Sequence, residues 1–286
     1  MALMANGTCL CGRIRFRLDG PFQMMMHCHC SRCRKHHGSA FATFVGAPAS
    51  GFEWVAGKHD IVTWASNTAG TGPRYFCPTC GSVTPAPDDG GEVRFVPAGN
   101  LVEDCGVKPE MHIFAASKAP WYTITDRVRQ FAGPPDGYPD PNLPPDVRTH
   151  ASGKVGGSCL CNAIRYEIDG APLSMVNCHC SRCRRGRSAA HASNLFVGLD
   201  QVRFTRGKEH VKVFDLPGAN RFGIDFCEIC GSGVPRNSPK IGRVNVPGGS
   251  LDVDPGIRPQ YHIFVGSKAP WDTIADALPQ HDTLPA

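Results

Sequence analysis

Fourteen of the fifteen cysteines of this 286-residue chain form one seven-cysteine pattern written twice, 150 residues apart. The first copy holds Cys9-Leu-Cys11, Cys28-His-Cys30-Ser-Arg-Cys33 and Cys77-Pro-Thr-Cys80. The second holds Cys159-Leu-Cys161, Cys178-His-Cys180-Ser-Arg-Cys183 and Cys227-Glu-Ile-Cys230. Sulfurs one or two residues apart reach a single ion, so thiolate ligation of zinc fits this spacing better than disulfide pairing. In Cys77 to Gly81 and Cys227 to Gly231 a glycine follows the second sulfur and relieves the turn of a zinc knuckle. The C-x-C pairs Cys9/Cys11 and Cys159/Cys161 are the two-sulfur units left to complete a closed, structural four-thiolate site.

Three sulfurs then remain in each copy: Cys28, Cys30 and Cys33, and Cys178, Cys180 and Cys183. Three protein ligands and an open fourth position are the pattern of a catalytic zinc, and these triplets are the candidate reaction centres. A closed alternative stays open here, with His29 or His179 as fourth ligand. The net negative charge of three thiolates around a divalent ion can be offset by Arg32, Arg34 and Lys35, or by Arg182, Arg184, Arg185 and Arg187. The same cations, Arg32, Arg34, Lys35, Arg182 and Arg184 above all, could hold the carboxylates of a substrate. Proton transfer has candidates in His29, His179, His112 and His262. His112 and His262 are as easily explained by packing, and the tandem His36 and His37 become Gly186 and Arg187, so both sites cannot need them. Cys105, opposite Pro255, is read as an uninvolved thiol.

The elements that must carry these groups are also duplicated. Ungapped comparison of residues 7–131 with 157–281 gives 46 identities in 125 positions. The sequence predicts domains at 1–131 and 157–286, joined by a linker at 132–156 that contains Pro134, Pro135, Pro139, Pro141, Pro144 and Pro145. Such a linker is expected to be extended and semi-rigid, joining the domains without filling a core. Because each half has a complete cysteine set, each is expected to fold alone with zinc. Phe44-Val45-Gly46 matches Phe196-Val197-Gly198 at an offset of 152, which reads as a local slip and a reshaped loop. Short apolar runs punctuated by 32 glycines and 25 prolines predict a mostly β architecture of many short strands.

A net charge of +5 with no long cationic run argues against a nucleic-acid partner. No apolar run approaches a membrane span, and Met1 to Thr8 is too short and uncharged for a signal peptide. The expected setting is a reducing cytoplasm, where free thiolates survive.

Several motifs in fixed order carry a family resemblance: Gly7-Thr-Cys-Leu-Cys-Gly12, Cys28 to Lys35, Gly38-Ser-Ala-Phe41, Phe76 to Ser82, Ala98-Gly-Asn-Leu101 and His112 to Trp121. Gly157 to Cys161, Cys178 to Arg184, Phe226 to Ser232, Gly249-Ser-Leu-Asp252 and His262 to Trp271 answer them in the second copy. The chain resembles the glutathione-dependent formaldehyde-activating enzyme and centromere protein V family. The resemblance implies two tandem Mss4-like zinc-binding domains of several short twisted β-sheets. It implies structural zinc on Cys9, Cys11, Cys77 and Cys80 and on Cys159, Cys161, Cys227 and Cys230, and catalytic zinc on the two triplets. It further implies a carbon-sulfur lyase or synthase that joins or releases an aldehyde and a thiol such as glutathione. Its partners would be small thiol and carbonyl compounds, with a homodimer left open. The rival readings are a pathway-specific isomerase or eliminating enzyme using the same pocket, and a zinc-stabilised binding module. Where the first copy keeps Lys35 to Phe41, the second has Arg185-Gly-Arg-Ser-Ala-Ala-His191, so the first triplet is expected to be the active one.

Overall fold

Alternation of inward apolar and outward polar side chains builds the strands. In Arg15–Asp19, Phe16 and Leu18 are buried, and in Arg165–Ile168 Tyr166 and Ile168 take the same places. The structure, a computed structural model, describes residues 3–68, 71–88, 90–137, 148, 150 and 154–285. Each half has a three-stranded sheet at its start. Met4–Thr8, Arg15–Asp19 and Phe52–Ala56 form it in the first half, and Val155–Ser158, Arg165–Ile168 and Val202–Arg206 in the second. A larger sheet follows, centred on Met25–Cys28 or Ser174–Cys178. Each central strand pairs antiparallel with Ala42–Pro48 or Ala192–Val197 and parallel with Met111–Ile113 or Tyr261–Ile263. A small hairpin ends at each knuckle, Val62–Trp64 with Arg74–Phe76 and Val211–Asp215 with Gly223–Cys227. The architecture is mostly β, as expected. No helix among the described residues is long and apolar enough to cross a membrane.

The apparent slip at 152 is not kept by the pairing. Met25 faces Val45 and Met175 faces Leu195, and Leu18 faces Phe52 as Ile168 faces Val202, so the offset stays 150 throughout. Burial alone would allow either offset, since Val45, Ala47, Leu195 and Val197 are all buried and a shift of two keeps each side chain on its face; the strand pairing is what sets it at 150. The connecting loop does differ, with a 3-10 turn at Ala49–Gly51 in the first half only.

Two seven-residue helices are the elements that composition did not announce. Helix α1 is Ser31–His37 and α2 is Ser181–Arg187. Each is capped at its start by the middle cysteine of a triplet, whose sulfur accepts from the backbone N–H of Cys33 or Cys183. Each ends in a left-handed residue, Gly38 or Ser188.

The core argues against halves that fold separately. One apolar cluster takes Val45, Val96, Leu101 and Trp121 from the first half and Tyr166, Leu195, Val246 and Trp271 from the second. Residues 150 apart in sequence meet across the contact: Phe76 and Phe226 have ring centroids 6.4 Å apart, and Phe41 and His191 lie at 5.3 Å. Such self-matching is the signature of a twofold, isologous interface, here closed within one chain. Helix α1 packs on the turn Gly248–Ser250 of the second half, and α2 on Ala98–Asn100 of the first. These turns come so close that a Cβ on Gly99 would lie 2.2 Å from the Ala189 nitrogen, and one on Gly249 2.2 Å from the Arg34 oxygen. Only glycine permits this approach. A sequence repeat reveals that each unit exists, but not what covers its apolar face.

Pairing continues past residue 131, since the Gly133 carbonyl accepts from Phe114, and it resumes at Val155. Linker residues 138–147, 149 and 151–153, with Pro139, Pro141, Pro144 and Pro145, lie outside the described residues. Two described linker residues do more than connect. Arg148 donates to the Ser158 hydroxyl and to the Leu160 carbonyl, each at 2.8 Å, and His150 meets Asp252 at 2.7 Å.

That Asp252 also pairs with Lys35 of the other half, with side-chain exposures of 4% for Lys35 and 0% for Asp252. Burial pushes the Asp252 carboxyl up, but Lys35, Ser158 and His150 together hold it below its ordinary value. A folded pKa below the unfolded one stabilises the fold above the ordinary carboxylate range, and that share is lost as pH falls through the folded value. Lys35→Ala leaves a buried carboxylate without its cation and is expected to destabilise the chain by about 3–5 kcal/mol at neutral pH. Denaturant unfolding checks this, and Lys35→Ala combined with Asp252→Ala should recover part of the loss.

Candidate metal centres

The closed cysteine groups assemble as expected. The four Sγ atoms of Cys9, Cys11, Cys77 and Cys80 lie within 4.8 Å of one another, as do those of Cys159, Cys161, Cys227 and Cys230. Neighbouring sulfurs are 3.5 and 3.7 Å apart in the first group and 3.4 and 3.7 Å in the second. Four sulfurs about 2.3 Å from a tetrahedral ion would be about 3.8 Å apart, so both groups fit zinc. Gly81 and Gly231 have φ of 69° and 74°, the left-handed turn that lets each knuckle close. Ser82 ties the two sulfur pairs together, accepting from the Leu10 backbone N–H at 3.1 Å beside Cys80, and Ser232 does the same for Leu160.

Each triplet sits where a strand turns into a helix. Cys28 ends the strand Met25–Cys28, Cys30 caps α1 and Cys33 lies in its first turn, which brings the three sulfurs within 4.8 Å. Cys178, Cys180 and Cys183 repeat this on α2. The strand-end cysteine is buried while the other two are half-buried, so each group has an open side. The middle sulfur is the readiest thiolate. S–H donation from Cys178 and Cys183 pushes Cys180 down to about 3, and Cys28 and Cys33 likewise push Cys30 well below its ordinary value.

His29 and His179 are not in these groups. Their Nε2 atoms lie 2.8 Å from Nδ1 of His112 and of His262, whose own Nε2 atoms face Asp126 and Asp276 at 3.0 Å. Each half thus has a relay of two buried histidines ending on a half-buried aspartate, and the closed four-ligand alternative for the triplets does not form. Burial, the largest effect, pushes the His29 imidazolium down to about 3.

The cations expected around the triplets divide. Arg32 lines a cleft with Trp64, Arg74, Arg148 and Leu160. Arg34 donates to the His29 carbonyl at 3.2 Å. Lys35 is engaged by Ser158 and Asp252 in joining the halves. Arg182 is exposed, whereas Arg184 is buried and its pKa is lowered by burial. Burial lowers the pKa of Arg187 on α2, an effect that nearby Cys183 partly offsets.

A second cleft, ≈ 170 Å³, opens beside the first triplet between Cys33, His36, His37, Arg74, Tyr75 and Phe44. On α1 Cys33, His36 and His37 share a face through i, i+3 and i+4 spacing. Hydrogen bonds among the three sulfurs dominate, taking Cys30 well below its ordinary value and Cys33 up to about 12, and the charge of Arg74 adds a smaller pull toward thiolate at both. Arg74 escaped sequence reasoning because it lies far from the triplet motif and its counterpart is Ile224. Asp126 and Asp276 were also missed, although the recurring Thr-Ile-x-Asp after each tryptophan carried a signal. The cluster of His179, His191 and Asp272 carried none, because Phe41 and Tyr122 occupy two of its places in the first copy.

A crystal structure of a Rhodobacter sphaeroides protein is similar to this chain at 28% sequence identity, covering 36% of this chain and 97% of that one, with a TM-score of 0.28. The family model for the glutathione-dependent formaldehyde-activating enzyme matches residues 4–117 and again 154–267. These two matches take in every cysteine of the four clusters, and the chain therefore belongs to the glutathione-dependent formaldehyde-activating enzyme family.

Proposed function

We propose that the protein is a zinc-dependent carbon-sulfur lyase or synthase acting on the adduct of an aldehyde with a thiol such as glutathione, and that Cys28, Cys30 and Cys33 form its working centre. The observation that carries this reading is the cleft at Cys33, where an open three-sulfur group meets His36 and Arg74. In the synthetic direction a sulfur–carbon bond forms, the carbonyl π bond opens, and a proton passes from the thiol sulfur to the new alkoxide oxygen. Cleavage is the reverse. Zinc on three thiolates would supply Lewis acidity for the charge that moves between sulfur and oxygen.

The chain's own groups do the rest. Arg74 and Arg32 give fixed positive charge for the carboxylates of the thiol. His36 lines the cleft with a buried Nε2 that has no hydrogen-bond partner, so that nitrogen can relay the proton, and burial, which lowers its pKa, keeps the imidazolium short-lived. Phe44, Tyr75 and Pro97 wall the cleft and limit water. In the second half Gly186 stands for His36 and Ile224 for Arg74, which favours the first triplet. The clusters of free thiols suit a reducing, cytoplasmic setting.

The test is exchange spectroscopy on zinc-loaded protein with formaldehyde and glutathione. Interconversion of free thiol and adduct should run well above the protein-free rate, and a rate equal to that background would sink the reading.

A further inference from the structure

We propose that His179, His191 and Asp272 form a metal site separate from the cysteine groups, a two-histidine, one-carboxylate site for a single divalent transition-metal ion of the zinc class. Their ligating atoms lie within 4.8 Å of one another, and the three residues are only 1%, 6% and 6% exposed. His179 Nδ1, His191 Nε2 and Asp272 Oδ2 are all buried without a hydrogen-bond partner. Such atoms are rare singly, because each forfeits its bond to water. Three that converge on one point call for a shared partner.

The spacing suits an ion better than a direct bond. His179 Nδ1 and Asp272 Oδ2 are 3.3 Å apart but not aligned as a hydrogen bond. Two ligands about 2.05 Å from a tetrahedral ion lie about 3.3 Å from each other. An ion pair between these two would also leave His191 Nε2 unanswered.

The surroundings are those of a ligand histidine. His179 Nε2 lies 2.8 Å from His262 Nδ1, and His262 Nε2 faces Asp276 at 3.0 Å. With protons on both Nε2 atoms the relay runs His179 to His262 to Asp276 and leaves the Nδ1 lone pair of His179 aimed at the cluster. A histidine ligand whose other nitrogen donates onward to a carboxylate chain is held in the tautomer that binds metal.

The first half is an internal control. It keeps the relay of His29, His112 and Asp126 with the same 2.8 and 3.0 Å separations. At the positions of His191 and Asp272, however, it has Phe41 and Tyr122, whose rings pack 5.4 Å apart. Both extra donors therefore arise together in one copy. The cavity beside them, walled by Phe41 and Tyr122, is ≈ 40 Å³. It can take the water that completes an ion's shell but no organic molecule. Two imidazoles and a carboxylate select zinc, cobalt(II) or iron(II) over the all-oxygen sites of magnesium and calcium.

Cobalt(II) titration of the full-length chain tests this, because cobalt on thiolates gives a sulfur-to-metal charge-transfer band and cobalt on nitrogen and oxygen gives d–d bands without it. His191→Phe and Asp272→Tyr install the residues of the first half. Each should lose one cobalt per chain, with its nitrogen- and oxygen-type bands, while the thiolate band keeps its intensity. Equal stoichiometry and spectra in the parent and both variants would overturn the site. Should either variant fold poorly, Asp272→Asn, nearly the same shape, removes the anionic ligand and is expected to weaken binding of that one cobalt by at least about 10-fold, since losing even a hydrogen-bond partner of a ligand costs that much. An unchanged titration for Asp272→Asn would equally refute it. Because the readout is metal content and not turnover, its outcome is independent of whether the first triplet is catalytic.

Discussion

Cys30→Ser is expected to lower turnover of the thiol–aldehyde adduct by at least about 100-fold while the fold survives, and Cys180→Ser to leave most activity in place. The reason lies in the double duty of Cys30. Its sulfur is one of three candidate ligands and also the cap of α1, accepting from the Cys33 backbone N–H at 3.3 Å. Serine is among the best capping residues, so the helix start is preserved while a thiolate ligand is lost. Cys180 occupies the same geometry, but its helix has Gly186 and Arg187 in place of His36 and His37. Steady-state rates and circular dichroism on both variants decide the matter. An inactive Cys180→Ser beside a normal Cys30→Ser would move the working centre to the second half.

Neither 1–135 nor 150–286 should fold as a monomer when expressed alone with zinc, whereas the two mixed should reassemble one to one. Separation exposes the apolar faces that meet in the shared core, including the contacts of Phe76 with Phe226 and Phe41 with His191. It also strands Asp252 without Lys35. Buried area scales poorly in small domains, so a half of this size that loses one whole face keeps too little to offset its chain entropy. Cooperative unfolding of a monomeric single half, seen by ultracentrifugation and denaturant titration, would contradict this expectation.

The repeated cysteines, the mostly β character and the pairing of sulfurs into closed groups were legible in the chain, because ligand spacing and strand alternation are local. The His–Asp half of each relay was legible in principle, since His112 with Asp126 recurs as His262 with Asp276. The slip at offset 152 was a coincidence of letters. Alternation tells only which face a residue takes, which a shift of two leaves unchanged, and the pairing of Met25 with Val45 and of Met175 with Leu195 settles the offset at 150.

Only the tertiary structure decided the rest. That the halves share one core follows from faces that no repeat reveals, and that Lys35 joins them, instead of facing a substrate, follows from Asp252 lying far along the sequence. The grouping of Arg74 with Cys33, and of His191 with His179 and Asp272, depends on chain segments distant in sequence being brought within a few ångströms. The sequence alone determined which residues could ligate or carry charge. Packing determined which of them meet, because burial and pairing, unlike spacing, are properties of the whole folded chain.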